Sequence, residues 1–461
     1  MIFGEKILNY KEEILRDLGR LVAVPSVCGP AEEGMPFGKE SARALGTILE
    51  MAQDCGLSVR NVGNYAGHAE YGQGSEMAAV VTHVDVVPAG TGWGTDPFTL
   101  TKKGSLYFGR GTADDKGAAV VALYCLKALK DEKVAGKRKI RAIFGAGEEI
   151  ASDDLEKYFS EEPMPVMAFT PDSEYGICNR EKGIMRVNFT PVRVGVSVVR
   201  SFSSGTVVNA VPDAAEAELD CPEERAAELR KNARSAEGDF QVTSVPGGAN
   251  VVSKGKASHA MQPRAGFNAA THLIRLLAQT FSPEELGPFF HFLDRAIGTE
   301  TDGASFGIRQ SDEPSGPLTL NLGIVRFGGG EAKASIDIRY PVTADGGKIF
   351  SGLRSRASGA GVSAELINES KPLYLPAQSP LISLLQGAYH DVTDGTAELY
   401  ATGGGTYARA IPGNAVAFGP FFPEEGDRRL HNSNENIDID RFLLHAQVCL
   451  EAVYRMIEPC C

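Results

Sequence analysis

The sequence has no apolar run of the roughly 18 residues that a membrane-spanning helix requires. It also has no tandem repeat and no low-complexity linker. Its eight cysteines, at 28, 55, 125, 178, 221, 449, 460 and 461, include no Cys-x-x-Cys pair. That spacing argues against a zinc-thiolate site and for reduced thiols in a cytoplasmic protein, with Cys460 and Cys461 at a frayed end. Positive charge is scarce: 46 Lys and Arg stand against 59 Asp and Glu, a formal charge of −13. Such a chain suits neither a nucleic-acid backbone nor an anionic membrane surface, and neither is expected as a partner. The opening "MIFGEKILNYKEEILRDLGRLVAVPSV" interleaves apolar positions with charges and has no small-residue cleavage site. It reads as an amphipathic helix rather than a signal peptide.

What is present is a change of style along the chain. At 461 residues the protein is too long for one ordinary core, and two or three domains are expected. The first part alternates: "EMAAVVTHVDVV" and "RKIRAIFGAG" read as strands, with "KGAAVVALYCLKALKDE" between them as a helix. "SDDLEKYFS" then reads as a helix and "MPVMAFTPD" as a strand. Such alternation predicts an α/β fold, a mixed, largely parallel sheet flanked by helices. The middle is β-rich, with "GIMRVNFTPVRVGV", "EAELDCP", "GGANVVSKG", "LTLNLGIVRFG" and "KASIDIRYPV" around two helical runs, "PEERAAELRKNARS" and "AGFNAATHLIRLLAQTF". The tail returns to the first style through "SPLISLLQGAYHDVTD", "NAVAFGP" and "IDIDRFLLHAQVCLEAVYRMIE". The expected organisation is a discontinuous catalytic domain, 1–179 and 377–461, around an inserted α+β lid domain, 180–376.

Acids and imidazoles gather where these strands end. His83 and Asp85 close the first in "VVTHVDVVPAG", Glu148 and Glu149 follow "RAIFGAG", and Asp172 follows "VMAFTP". Asp114 in "FGRGTADDKG" precedes a helix. In open α/β sheets ligands bind beyond the carboxyl ends of the strands, so independent segments deliver these groups to one edge. Taken singly, each has an ordinary structural role. Asp85 could be a turn acid, Asp114 and Asp115 could complement a helix dipole, Glu148 and Glu149 could cap a helix, and Asp172 could form an Asx turn. His431 in "RRLHNSNENIDID" could be a surface histidine. Jointly they crowd like charges that cations would relieve. Carboxylates and imidazoles without cysteine suit zinc, manganese or cobalt, and their number exceeds one tetrahedral site.

The motifs "HVDVVPAG", "GWGTDPF", "YFGRGTADDKG", "GAGEEIAS", "TPDSEYG" and "SHAMQPRAGFNA", in this order, resemble those of the M20 family of co-catalytic metallopeptidases. "GGGTYAR", "VAFGPFFP" and "HNSNE" resemble its dipeptidase branch of the PepV type. The resemblance implies one metal held by His83, Asp114 and Asp172 and a second by Asp114, Glu149 and His431, with zinc expected and manganese or cobalt as alternatives. It implies a cis peptide after Asp114, Glu148 as general base toward a metal-activated water, and Asp85 behind His83. It also implies His259 as oxyanion donor and Asn209 as a polar substrate contact.

Arg339 in "ASIDIRYPV" offers a fork for a substrate carboxylate, although Ser335, Asp337 and Arg339 also alternate like a solvated strand face. Gly404 and Gly405 in "ATGGGTYARAIP" allow close backbone approach to substrate. The expected activity is hydrolysis of small peptides, dipeptides above all, by a chain competent as a monomer, with a homodimer left open. The alternatives are an N-acyl or N-succinyl amino acid amidohydrolase with the same metals, and a metal- or peptide-binding protein without catalysis. "GAGEEIAS" also imitates the opening of a dinucleotide fingerprint, but Ile150 stands at its third glycine, which removes an oxidoreductase.

Overall fold

The structure, a computed structural model, describes residues 2–150 and 153–458. Cys460 and Cys461 therefore lie outside the described residues. The chain divides into two compact units, one of 1–179, 373–400 and 405–461 and the other of 180–372 and 401–404.

The first unit is built on a mixed sheet. Four adjacent strands, Lys139–Gly145, Met77–His83, Met167–Thr170 and Ala415–Ala417, run parallel. The hairpin Ser58–Val62 and Ala66–Tyr71 extends one edge antiparallel. Alternation along Met77–His83 feeds two cores, because successive strand residues face opposite sides. Ala78 and Val80 join a large apolar cluster with the helices Lys11–Val22, Lys39–Asp54, Lys116–Asp131, Pro380–Thr393 and Ile439–Met456. Met77, Ala79 and Val81 join a smaller cluster with Leu155 and Tyr158 of the helix Asp154–Glu161 and with Tyr407. Burial on both faces explains why the strand reads as a continuous apolar run. Helix Lys116–Asp131 is buried almost all round, which matches its lack of a polar stripe.

The second unit carries an eight-stranded antiparallel sheet. Its order is Asp239–Val245, Gly248–Lys254, Ala214–Asp220, Val199–Ser204, Thr319–Gly328, Glu331–Tyr340, Gly183–Pro191 and Val362–Ser370. The helices Glu223–Ala233, Ala269–Thr280, Pro288–Ala296 and Gly346–Gly359 contribute to its one apolar cluster.

Several elements depart from the predicted pattern. The strand predicted through Val196 stops at Pro191, since proline brings no N–H to the ladder. The N-terminal helix starts as a 3-10 segment, Phe3–Tyr10, before the α-helix Lys11–Val22. Helices Lys39–Asp54 and Gly346–Gly359 and the hairpin 58–71 are additional to the predicted elements. No helix among the described residues is long and apolar enough to cross a membrane.

Leu123, wholly buried in helix Lys116–Asp131, tests how far the first unit depends on this packing. Leu123→Ala is expected to cost about 2–5 kcal/mol, read as a lower urea midpoint.

Candidate metal centre

Three neighbouring parallel strands end at one edge of the first unit's sheet. His83 closes its strand opposite Gly145, the last residue of the adjacent one, after which come Glu148 and Glu149. Met167–Thr170 leads into Asp172. Asp114, at the entrance to helix Lys116–Asp131, is the hub: its Oδ1 lies 3.0 Å from His83 Nε2 and its Oδ2 3.1 Å from His431 Nε2. The same His431 nitrogen is 3.2 Å from Glu149 Oε2. Two triads result, His83–Asp114–Asp172 and Asp114–Glu149–His431, with donor atoms in each within 4.8 Å of one another. Asp114 belongs to both, and the peptide joining it to Asp115 is cis.

The His83 ring is fixed from behind. Its Nδ1 lies 3.1 Å from the Asp85 carbonyl oxygen and 3.4 Å from Asp85 Oδ1. A carbonyl only accepts, so Nδ1 carries a proton and donates it; in the neutral ring the Nε2 lone pair then faces Asp114. That tautomer suits a metal ligand. The Asp85 carboxylate has a second task, accepting the backbone N–H groups of Glu148 at 3.1 Å and Glu149 at 3.0 Å.

The electrostatics follow from crowding. Burial pushes the carboxyls of Glu148, Asp115 and Asp172 well above the usual range, and neighbouring carboxylates add to it. Burial would raise Asp114 too, but hydrogen bonds from His431 and His83 hold it well below its ordinary value. Burial works against a charged His83, yet its bonds to Asp114 and Asp85 keep its pKa well above that of a free imidazole. His431 is pushed up to about 10 by its hydrogen bonds to Asp114 and Glu149. Each triad pairs one imidazole with two carboxylates, a donor set that suits zinc, manganese or cobalt.

Further residues hold this arrangement, and the sequence reading gave them no role. Glu435, wholly buried, accepts the N–H groups of Ala113 at 2.9 Å and Asp114 at 3.2 Å. Its other oxygen takes a 2.7 Å bond from Arg110, which also donates to the carbonyls of Pro88 and Ala89 and lies under the Trp93 ring. One buried ion pair thus ties together the motifs "HVDVVPAG", "GWGTDPF", "FGRG" and "HNSNE". On the other side Tyr407 donates to Asp154, which accepts the N–H groups of Ala146 and Gly147 and so fixes the loop into Glu148. The available signal was the position of Arg110 and Glu435 inside those motifs and of Tyr407 inside "GGGTYAR".

The second unit holds the other predicted residues. His259 Nδ1 accepts the Met261 N–H at 3.1 Å, and Ala260 N–H bonds the Asn209 carbonyl at 2.8 Å. Arg339 is not on a solvated face. It is 3% exposed, forked onto the wholly buried Asp337 at 2.6 and 3.1 Å, and donates to the Gly403 carbonyl. Gly404 belongs to the second unit and Gly405 to the first. A Cβ added at Gly404 would meet only Thr402 Oγ1, at 3.4 Å.

Removing Arg110 leaves the Glu435 charge buried without its partner. Arg110→Met is expected to cost about 3–5 kcal/mol, and adding Glu435→Gln to recover part of it, both read by denaturant unfolding.

Comparison with known proteins places this geometry. The chain is 35% identical over 463 residues to the Bacillus subtilis protein named "Putative dipeptidase YtjP", covering 98% of each. It is 31% identical over 471 residues to a "Putative dipeptidase" of Staphylococcus epidermidis, covering 99% of each. Among solved structures, human carnosine dipeptidase 1 superposes with a TM-score of 0.60 at 13% identity, covering 99% of this chain and 98% of that one. The di-peptidase Dug1p from Saccharomyces cerevisiae gives 0.59 at 15%, with the same coverage; both show the shared fold. The model for peptidase family M20/M25/M40 matches residues 79–455, and the chain belongs to that family.

Proposed function

We propose that this protein is a metallo-dipeptidase that hydrolyses the amide bond of dipeptides at a two-metal centre. The single observation that carries the reading is Asp114, whose two carboxylate oxygens each meet an imidazole nitrogen while the residue belongs to two overlapping triads. His83, Asp114 and Asp172 would hold one divalent ion, and Asp114, Glu149 and His431 the other. Two ions held there would polarise the scissile carbonyl, acidify a water, and bring the Glu148 carboxyl back to its ionised form. The names of the relatives support a dipeptide substrate, and the reduced thiols of the six described cysteines fit a cytoplasmic location.

Glu148 is the general base. It belongs to neither triad, yet it follows the same strand as Glu149 and its backbone is pinned by Asp85. Its carboxylate takes a proton from the attacking water and returns it to the leaving amine. His259 would donate to the oxyanion, Asn209 would contact the substrate amide, and Arg339 would meet its terminal carboxylate. The Asp337–Arg339 fork supports this last role by holding the guanidinium in one orientation.

Two experiments test the reading. Glu148→Gln keeps the triads and is expected to retain bound metal while turnover on dipeptides falls by about 100-fold or more; near-normal turnover would remove Glu148 from the mechanism. The second is proton release. An imidazole binds a metal only when neutral, and the pKa of about 10 at His431 keeps that ring protonated at neutral pH. Adding zinc, manganese or cobalt to chelator-stripped protein at pH 7.5 should therefore release protons, seen with an indicator dye, and affinity should weaken as pH falls. The reconstituted forms, assayed on dipeptides, tripeptides and N-acylated amino acids, separate a dipeptidase from an acyl amino acid amidohydrolase.

A further inference from the structure

The strand Thr319–Gly328 carries a polar residue between two apolar ones. Leu320 and Leu322 enter the apolar cluster of the second unit. Asn321 points away from it and is nevertheless 2% exposed. Both donor hydrogens and the acceptor oxygen of its amide are engaged. One Nδ2 hydrogen goes to the Ala210 carbonyl at 2.8 Å and the other to the Val208 carbonyl at 3.2 Å. Its Oδ1 accepts from Asn268 Nδ2 at 3.2 Å.

Asn268 is fixed in turn. Its Oδ1 caps helix Ala269–Thr280 by accepting from Ala270 and Thr271, and its Nδ2 also reaches the Leu322 carbonyl at 2.9 Å. Two amides in series thus run from a helix N-terminus to the carbonyls on either side of Asn209. The approach is close: a Cβ on Gly323 would lie 2.2 Å from the Val208 oxygen.

The gripped segment carries the His259 turn. Val211 N–H bonds the Ser258 carbonyl, and Ala260 N–H bonds the Asn209 carbonyl, both at 2.8 Å. Ala210 and His259 form the intervening bridge. A residue that fixes Val208 and Ala210 therefore fixes the backbone of Asn209 and His259 together.

We propose that Asn321, oriented by Asn268, is a positioning residue that sets the Asn209–His259 pair for the reaction. The inference rests on the roles proposed above for those two residues. Aspartate at 321 would set a carboxylate against two carbonyl oxygens, and alanine would leave both without their donor. A shift of about 1 Å in a catalytic group can cost about 100-fold, so a small relaxation of this loop is enough to be read in turnover.

The test is a mutant cycle on the metal-loaded full chain. Asn321→Ala is expected to lower kcat on a dipeptide by about 10- to 100-fold with metal content unchanged. In a background carrying both Asn209→Ala and His259→Ala the same change should cost less than about twofold, because both groups it positions are gone. Equal losses in both backgrounds, or wild-type turnover in Asn321→Ala, would overturn the proposal. Should Asn321→Ala fail to fold, Asn268→Asp takes its place under the same criteria, since aspartate keeps the helix cap but cannot donate to Asn321. Hydrogen exchange on metal-free protein gives a second reading: the Val211 and Ala260 amides should exchange faster in Asn321→Ala, and unchanged exchange counts against the proposal. If His259→Ala alone keeps full turnover, the role of His259 fails and this inference with it. That outcome is distinct from an Asn321 variant that is inert beside an essential His259.

Discussion

Carboxylates that cannot all be charged at once govern this protein. Asp114, Asp115, Glu148 and Asp172 are packed at one sheet edge, and the first consequence is written in their proton affinities. Asp114 stays ionised by leaning on two imidazoles, while Glu148, Asp115 and Asp172 are driven toward their neutral forms. Burying such a group costs stability unless something positive compensates it. The surrounding framework exists to keep the crowd in place: Asp85 grips the backbone of Glu148 and Glu149, Glu435 that of Asp114, and Asp154 the loop from Ala146.

That crowding was legible because the acids stand at the ends of apolar strands, and parallel strands of one sheet end on the same side. His83 and the Glu148–Glu149 pair could be placed from local pattern alone, since strand, turn and acid are contiguous. His431 could not. Its loop is irregular, with a left-handed backbone at His431 itself, and only its motif connected it to Asp114. The anchors were harder still, because a glutamate inside "HNSNE" shows nothing of an arginine 325 residues earlier.

The second unit shows where period-two reasoning misleads. Ser335, Asp337 and Arg339 alternate with Ile336 and Ile338, and alternation normally means one wet face. Here both faces of the strand are covered, and the polar one is a buried ion pair rather than a solvated row. Asn321 lies opposite Asp337 in register and shares this character. Polar identity in a strand tells which groups need partners; it does not tell whether water supplies them.

The Glu435 anchor bears on how the protein comes into being. It closes on Asp114, 321 positions earlier in the chain, and a domain folds as a unit, so a discontinuous one waits for its last segment to leave the ribosome. A nascent chain that has completed only its first half has the hub aspartate without the carboxylate that holds its backbone or the second ring that shares its charge. The second triad and the anchor of its hub are therefore completed only late in synthesis, when the segment carrying His431 and Glu435 has emerged.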